Sequence, residues 1–129
     1  MSSLKDLKIL VAEDNILNQK IVKIILEKLE ATVWTTSNGH EAIELLKIEY
    51  FDVVLMDLNM PVMDGFETTN FIRKELRSEI PIIALTADYL ISNEIECMEA
   101  GMNAIISKPF EPESFSDLIL KLVKRNLTN

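Results

Sequence analysis

Phe51-Asp52-Val53-Val54-Leu55-Met56 runs apolar almost without interruption and is followed at once by Asp57. A strand with one wet face alternates apolar and polar residues; this one does not, so it reads as a central strand covered on both faces. Working outward, the same grammar repeats. Leu7 to Val11 and Pro81 to Leu85 are further short apolar strands, the latter opened by a proline where a missing donor is tolerated. Thr32 to Thr36 is β-branched and aromatic, and Ala104 to Ile106 is a short final strand.

Amphipathic stretches lie between these strands. Leu17, Ile21, Ile24, Ile25 and Leu29 recur at helical spacing. His40 to Lys47 is a short helix with Ala42, Ile43 and Leu46 inward, and Phe66 to Leu76 forms a third. Ile91, Ile95, Met98 and Met102 make a packing stripe on a fourth, capped by Ser92 or Asn93 and ended at Gly101. Phe115, Leu118, Ile119, Leu122 and Val123 give the fifth its buried face. Five strands alternating with five helices predict an α/β fold, a doubly wound parallel sheet with helices on two faces. No linker, repeat or low-complexity tract divides the chain, so residues 1–129 are read as one domain with a core of about 5–125.

Composition sets limits on partners. Of 129 residues, 48% are hydrophobic and 26% charged, enough for a core and a wet surface. Lys and Arg number 13 against 21 Asp and Glu, a net charge of -8. That balance argues against a direct nucleic-acid face and against docking on an anionic membrane. No apolar run approaches the ~20 residues that span a bilayer, and the N-terminus lacks the apolar block of a secretory signal, so a cytoplasmic location is expected. Cys97 is the sole cysteine and reads as a small apolar filler or a half-exposed helix residue in a reducing compartment.

Ligands of open parallel sheets bind beyond the carboxyl ends of the strands, so the residues just past each apolar run carry the chemistry. Glu13 and Asp14 come after the first strand and Asp57 after the third; Thr86 comes after the fourth, and Ser107 and Lys108 after the fifth. Three gathered carboxylates repel one another and raise each other's pKa values. A hard cation such as magnesium resolves that repulsion through oxygen ligands. With an ammonium and a hydroxyl beside them, the carboxylates suit transfer of a phosphoryl group onto an aspartate.

Each residue also has a plainer reading. An isolated Asp14-Asn15 would be a helix cap, and Asp57 could cap a turn. Asp57, however, closes an apolar run where an unpaired carboxylate is costly. Asp64 and Gly65 read as turn-formers, His40 as an exposed helix residue, and Trp34 as a core or edge filler.

Four blocks carry a resemblance: Val11-Ala12-Glu13-Asp14-Asn15, Leu55-Met56-Asp57 through Asp64-Gly65, Leu85-Thr86-Ala87, and Ser107-Lys108-Pro109-Phe110. In this order and spacing they resemble the receiver domain of two-component response regulators. The resemblance implies a flavodoxin-like sheet of strand order 2-1-3-4-5, with Asp57 as phosphoacceptor for a histidine-kinase phosphohistidine. It further implies magnesium or manganese held directly by Asp14 and Asp57, by Glu13 through water, and by the backbone carbonyl of Asn59. Thr86 and Lys108 would contact the phosphoryl oxygens, and the Lys108–Pro109 bond would be cis. Implied partners are a histidine kinase or phosphotransfer protein, and a homodimer through the fourth helix, fifth strand and fifth helix.

Receivers often carry Tyr or Phe three residues before the lysine; here Ile105 stands there, so the surface signal at the last strand is expected to differ. A phosphorylation-independent module of the same fold is the alternative function, and the complete set Asp14, Asp57, Thr86 and Lys108 speaks against it. A phosphohydrolase acting through an aspartyl nucleophile would need a second acid two residues on, where Asn59 stands. Only self-phosphotransfer and self-dephosphorylation are therefore expected, with Asn59 and Asp88 as candidates to set the latter rate. The chain ends shortly after the fifth helix, which fits a stand-alone regulator or the receiver of a hybrid histidine kinase.

Overall fold

Odd and even residues of the central strands enter two different apolar layers, which is why no polar residue interrupts them. The computed structural model describes residues 3–87, 91–108 and 110–127, with the side chains of 91–92 and 124–127 excepted. Its strands are β1 (Lys8–Ala12), β2 (Thr32–Thr36), β3 (Val53–Asp57), β4 (Ile82–Thr86) and β5 (Ala104–Ser107). The helices are α1 (Ile16–Lys28), α2 (Gly39–Ile48), α3 (Gly65–Lys74), α4 (Ile91–Ala100) and α5 (Pro112–Leu127). All strand pairs are parallel, and the sheet order is β2-β1-β3-β4-β5, as the resemblance implied.

Ile9, Val11, Val53, Leu55, Ile83 and Leu85 pack with Val22 and Leu26 of α1 and with Phe115 and Ile119 of α5. Leu10, Val54, Met56, Ile82 and Ala84 pack on the opposite face with Ala42 of α2, Ile72 of α3 and Cys97 of α4. Cys97 is fully buried there, a core filler as expected. Each strand thus removes side chains from water on both faces, at roughly 1.5–3 kcal/mol for a large aliphatic residue.

Two of the apolar helical stripes are buried only in part. On α1 the buried residues are Val22, Leu26 and the C-cap Leu29, with Ile25 half-buried; Leu17, Ile21 and Ile24 are exposed at 67%, 40% and 53%. The helix carries two apolar stripes about one residue apart, and a sheet can cover only one of them. Of the α4 stripe, Ile95 and Met98 are likewise exposed, while Met102 is buried as expected and Cys97 joins it in the core. Ser92 and Asn93 lie inside α4, so neither is its cap.

Local chemistry starts and anchors the helices. Asn15 and Asn38 cap α1 and α2, their side chains accepting from Asn18 N–H and Glu41 N–H at 2.9 Å each. Asp64 and Glu67 form a reciprocal capping box at α3, so Asp64 begins a helix and does not make a turn. Trp34, 38% exposed on the edge strand β2, stands edge-on to Phe51 with Lys8 over both rings. The half-buried Arg73 guanidinium donates to the carbonyls of Gly101, Ser78 and Ile80 and to Asn103 Oδ1, tying α3 to the turn before β5. Gly101, at φ 104°, takes the left-handed conformation that ends α4.

Candidate functional site

Strand register brings the chemistry-bearing residues to one edge. Ala12 pairs with both Thr36 and Met56, Asp57 with Leu85, and Thr86 with Ser107. The residues just beyond these positions therefore share the carboxyl end of the sheet. There a cleft of about 150 Å³ is lined by Glu13, Asp14, Asp57, Asn59, Thr86 and Lys108 among others. The structure thus brings together Glu13, Asp14, Asp57, Asn59, Thr86 and Lys108; Ser107, expected at the same edge, is not among the residues lining the cleft.

Carboxylate oxygens of Glu13, Asp14 and Asp57 lie within 4.8 Å of one another. Glu13 is buried, at 2% exposure, Asp57 is half-buried and Asp14 is exposed. Asn15 N–H donates to Glu13 Oε2 at 3.2 Å, and Asn59 N–H to Asp57 Oδ1 at 3.1 Å. Oxygen donors in this number, with charge to spare and no sulfur or imidazole, suit a hard divalent cation. The acidic cluster thus fits metal binding.

Burial is the main force pushing the Asp57 carboxyl up to about 8 in the metal-free protein. Its hydrogen bond and charge contact with Glu13 and its proximity to Asp14 add to the rise, while the Asn59 N–H opposes it. A folded pKa above the ordinary 3.8 means that the folded chain holds a proton the unfolded chain releases. The contribution to stability is complete below about 4 and is lost as pH rises through about 8. Metal-free protein is expected to lose stability over that window, and Asp57→Asn to flatten the loss, being about 1–2 kcal/mol more stable than the parent at pH 8 after discounting for solvent screening. Urea midpoints measured in chelator at several pH values check this; parallel curves for the two proteins would contradict it.

Lys108 is exposed; its ammonium sits 5.7 Å from the Phe110 ring centroid, and its backbone N–H donates to the backbone carbonyl of Thr86 at 3.0 Å. Among the described residues no ion pair joins it to Glu13, Asp14 or Asp57. Thr86 is buried, at 3% exposure, at the end of β4. Ile105 is half-buried against the layer of α2, α3 and α4. Pro109 and Asp88 lie outside the described residues, and so do the expected cis bond and the second candidate for the dephosphorylation rate.

Three features were missed in the sequence. Gly65 is no turn-former: it is the first residue of α3, and a Cβ there would lie 2.4 Å from Asp57 O. Val62 takes φ 69° in a tight turn closed by Met63 N–H to Pro61 O at 2.7 Å, strain that no apolar pattern signals. The exposed row on α1, beginning beside the acidic loop, was hidden because its residues read as core.

The profile of the response regulator receiver domain family matches residues 9–120. Hybrid signal transduction histidine kinase K of Dictyostelium discoideum is 35% identical over 95% of this chain, which spans 11% of that protein's length. The receiver domain of the Pseudomonas aeruginosa sensor histidine kinase PA1611, crystallised with magnesium coordinated in its active-site cleft, is similar at TM-score 0.83 and 33% identity, covering 92% of this chain and 98% of that one. Chemotaxis protein CheY4 of Vibrio cholerae is similar at TM-score 0.83 and 28% identity, covering 95% and 99%. No helix among the described residues is long and apolar enough to cross a membrane. By fold, sequence profile and the four blocks around its cleft, the chain belongs to the response regulator receiver domain family.

Proposed function

We propose that this receiver, as a single domain, accepts a phosphoryl group on Asp57 from a phosphohistidine and relays the change to its α4–β5–α5 face. The observation that carries the reading is the convergence of Glu13, Asp14 and Asp57 within 4.8 Å in a cleft that Thr86 and Lys108 also line. A carboxylate oxygen of Asp57 attacks phosphorus in line; a P–O bond forms and the P–N bond of the phosphohistidine breaks. The freed imidazole nitrogen keeps the electron pair and takes its proton from solvent. Bound at Glu13, Asp14, Asp57 and the Asn59 carbonyl, magnesium (or manganese) would supply the positive charge that offsets the carboxylates and the phosphoryl oxygens. Thr86 and the ammonium of Lys108 orient and balance those oxygens; Lys108, exposed and in no ion pair with the acids, is free to swing over the cleft. Asn59, at the rim, bears on how water reaches the acyl phosphate.

The donor must meet the rim of the cleft, where α1 begins. Ile16, Leu17, Ile21 and Ile24 are 64%, 67%, 40% and 53% exposed, an apolar row suited to a helical phosphotransfer protein or kinase domain. Ile95 and Met98, exposed on α4, support a contact with a partner or a second copy on the output face.

Incubation with acetyl phosphate and magnesium, read by intact mass, tests the chemistry: one phosphoryl group is expected, and none in chelator. Leu17→Asp is expected to slow transfer from a phosphorylated histidine-phosphotransfer domain about tenfold, the loss of one apolar anchor, while labelling by acetyl phosphate stays unchanged. Equal slowing of both reactions would place the effect in the cleft and not in docking.

A further inference from the structure

Glu13 and Asp14 stand beyond the last ladder pair of β1, in a loop that must place two charged side chains opposite Asp57 before any cation arrives. Their repulsion favours opening that loop. The backbone of β1 gives one further rung, Glu13 N–H to Thr36 O at 3.0 Å. A side chain from α1 supplies the rest. Gln19 Nε2 donates to Glu13 O at 3.0 Å and to Thr36 O at 3.1 Å. Its two N–H groups thereby join the ends of β1 and β2 to the first turn of α1. Gln19 is half-buried and Glu13 fully so, which makes the clamp stronger than the same bonds in water.

From this geometry we infer that Gln19 is a positioning residue: its side-chain amide presets the Glu13–Asp14 loop for the divalent cation. The inference rests on the proposed metal-dependent function. Without the amide, two backbone carbonyls lose a donor, and the loop must be ordered when the cation binds; affinity falls by that cost. Hydrogen-bonded supports of ligating groups affect metal affinity by roughly 10–100-fold in other sites.

Gln19→Met keeps length, lack of branching and helix propensity while removing both N–H groups. Titration of magnesium by calorimetry is expected to give a dissociation constant about tenfold weaker than the parent's, with faster hydrogen exchange at the Glu13 amide. A magnesium constant within twofold of the parent's overturns the inference, whatever happens to the urea midpoint, because a purely structural residue would move only the latter. Should Gln19→Met fail to fold, the parent decides: the Gln19 side-chain amide protons are expected to resist exchange with solvent, and rapid exchange would overturn the clamp. A parent that binds no magnesium at all refutes the proposed function together with this inference, whereas binding that is indifferent to Gln19 refutes the inference alone.

Discussion

Replacement of Asp57 by asparagine is expected to reduce phosphoryl uptake from acetyl phosphate at least about a hundredfold while leaving the protein folded. Asparagine matches aspartate in shape, but its amide oxygen is a poor nucleophile and carries no charge to attack phosphorus. Two other carboxylates stand in the cleft. Glu13 is 2% exposed and already accepts a bond from Asn15 N–H, which leaves it less accessible to an incoming phosphoryl group than the half-buried Asp57. Asp14 is exposed, but it lies beyond the sheet with no N–H bonded to its carboxylate among the described residues. Folding is not the obstacle, because the variant removes a carboxyl whose charge the burial at that position opposes. Intact mass after incubation reads the result. A phosphoryl group retained in Asp57→Asn would move the acceptor to Asp14 or elsewhere and overturn the assignment.

How much of this was legible in the sequence depends on the physical content of each signal. Central strands such as Val53–Asp57 announce themselves, since burial on both faces leaves only one kind of residue to use. Residues just past such runs inherit their place from the sheet, and so Glu13, Asp14, Asp57, Thr86 and Lys108 could be assembled before any coordinates, whereas Asn59 came only with the family resemblance. Helix faces were less legible. Leu17, Ile21 and Ile24 are as apolar as the Val22, Leu26 and Leu29 that α1 buries, and periodicity cannot say which row meets the sheet and which meets a partner. The stripe through Ile95, Met98 and Met102 was legible only in part for the same reason: Met102 is buried, Ile95 and Met98 are exposed. The bonding role of Gln19 was not legible, because a side chain bonding two carbonyls distant in sequence leaves no periodic mark. The reading of Gly65 erred in kind: glycine signals a turn by its backbone freedom, but here its missing Cβ is what matters.

Gly65→Ala is accordingly expected to damage the fold and the site together. A Cβ at Gly65 would lie 2.4 Å from Asp57 O, 3.0 Å from Leu58 Cα and 3.1 Å from Met56 Cγ. Two of these three are backbone atoms, so no rotamer change relieves the clash. Gly65 N–H also donates to Leu58 O at 3.1 Å, fastening the first turn of α3 to the chain that leaves β3. Alanine must lift α3 from that strand end or push Asp57 and Leu58 out of register with Leu85. Either movement shifts the carboxylate relative to Glu13 and Asp14. A loss of about 3 kcal/mol in urea unfolding is expected, as for overpacking against a rigid neighbour, with a fall of at least about tenfold in the rate of phosphoryl uptake. Gly101→Ala supplies the control. Its φ of 104° and its approach to Arg73 Cγ at 2.9 Å also make alanine costly, but Gly101 sits at the turn before β5, away from the cleft. That variant is expected to lose about 1–2 kcal/mol and to take up phosphate at the parent's rate under conditions where it is folded. If Gly65→Ala proves no less stable than Gly101→Ala and labels at the parent's rate, the close packing of α3 against the end of β3 does not position Asp57.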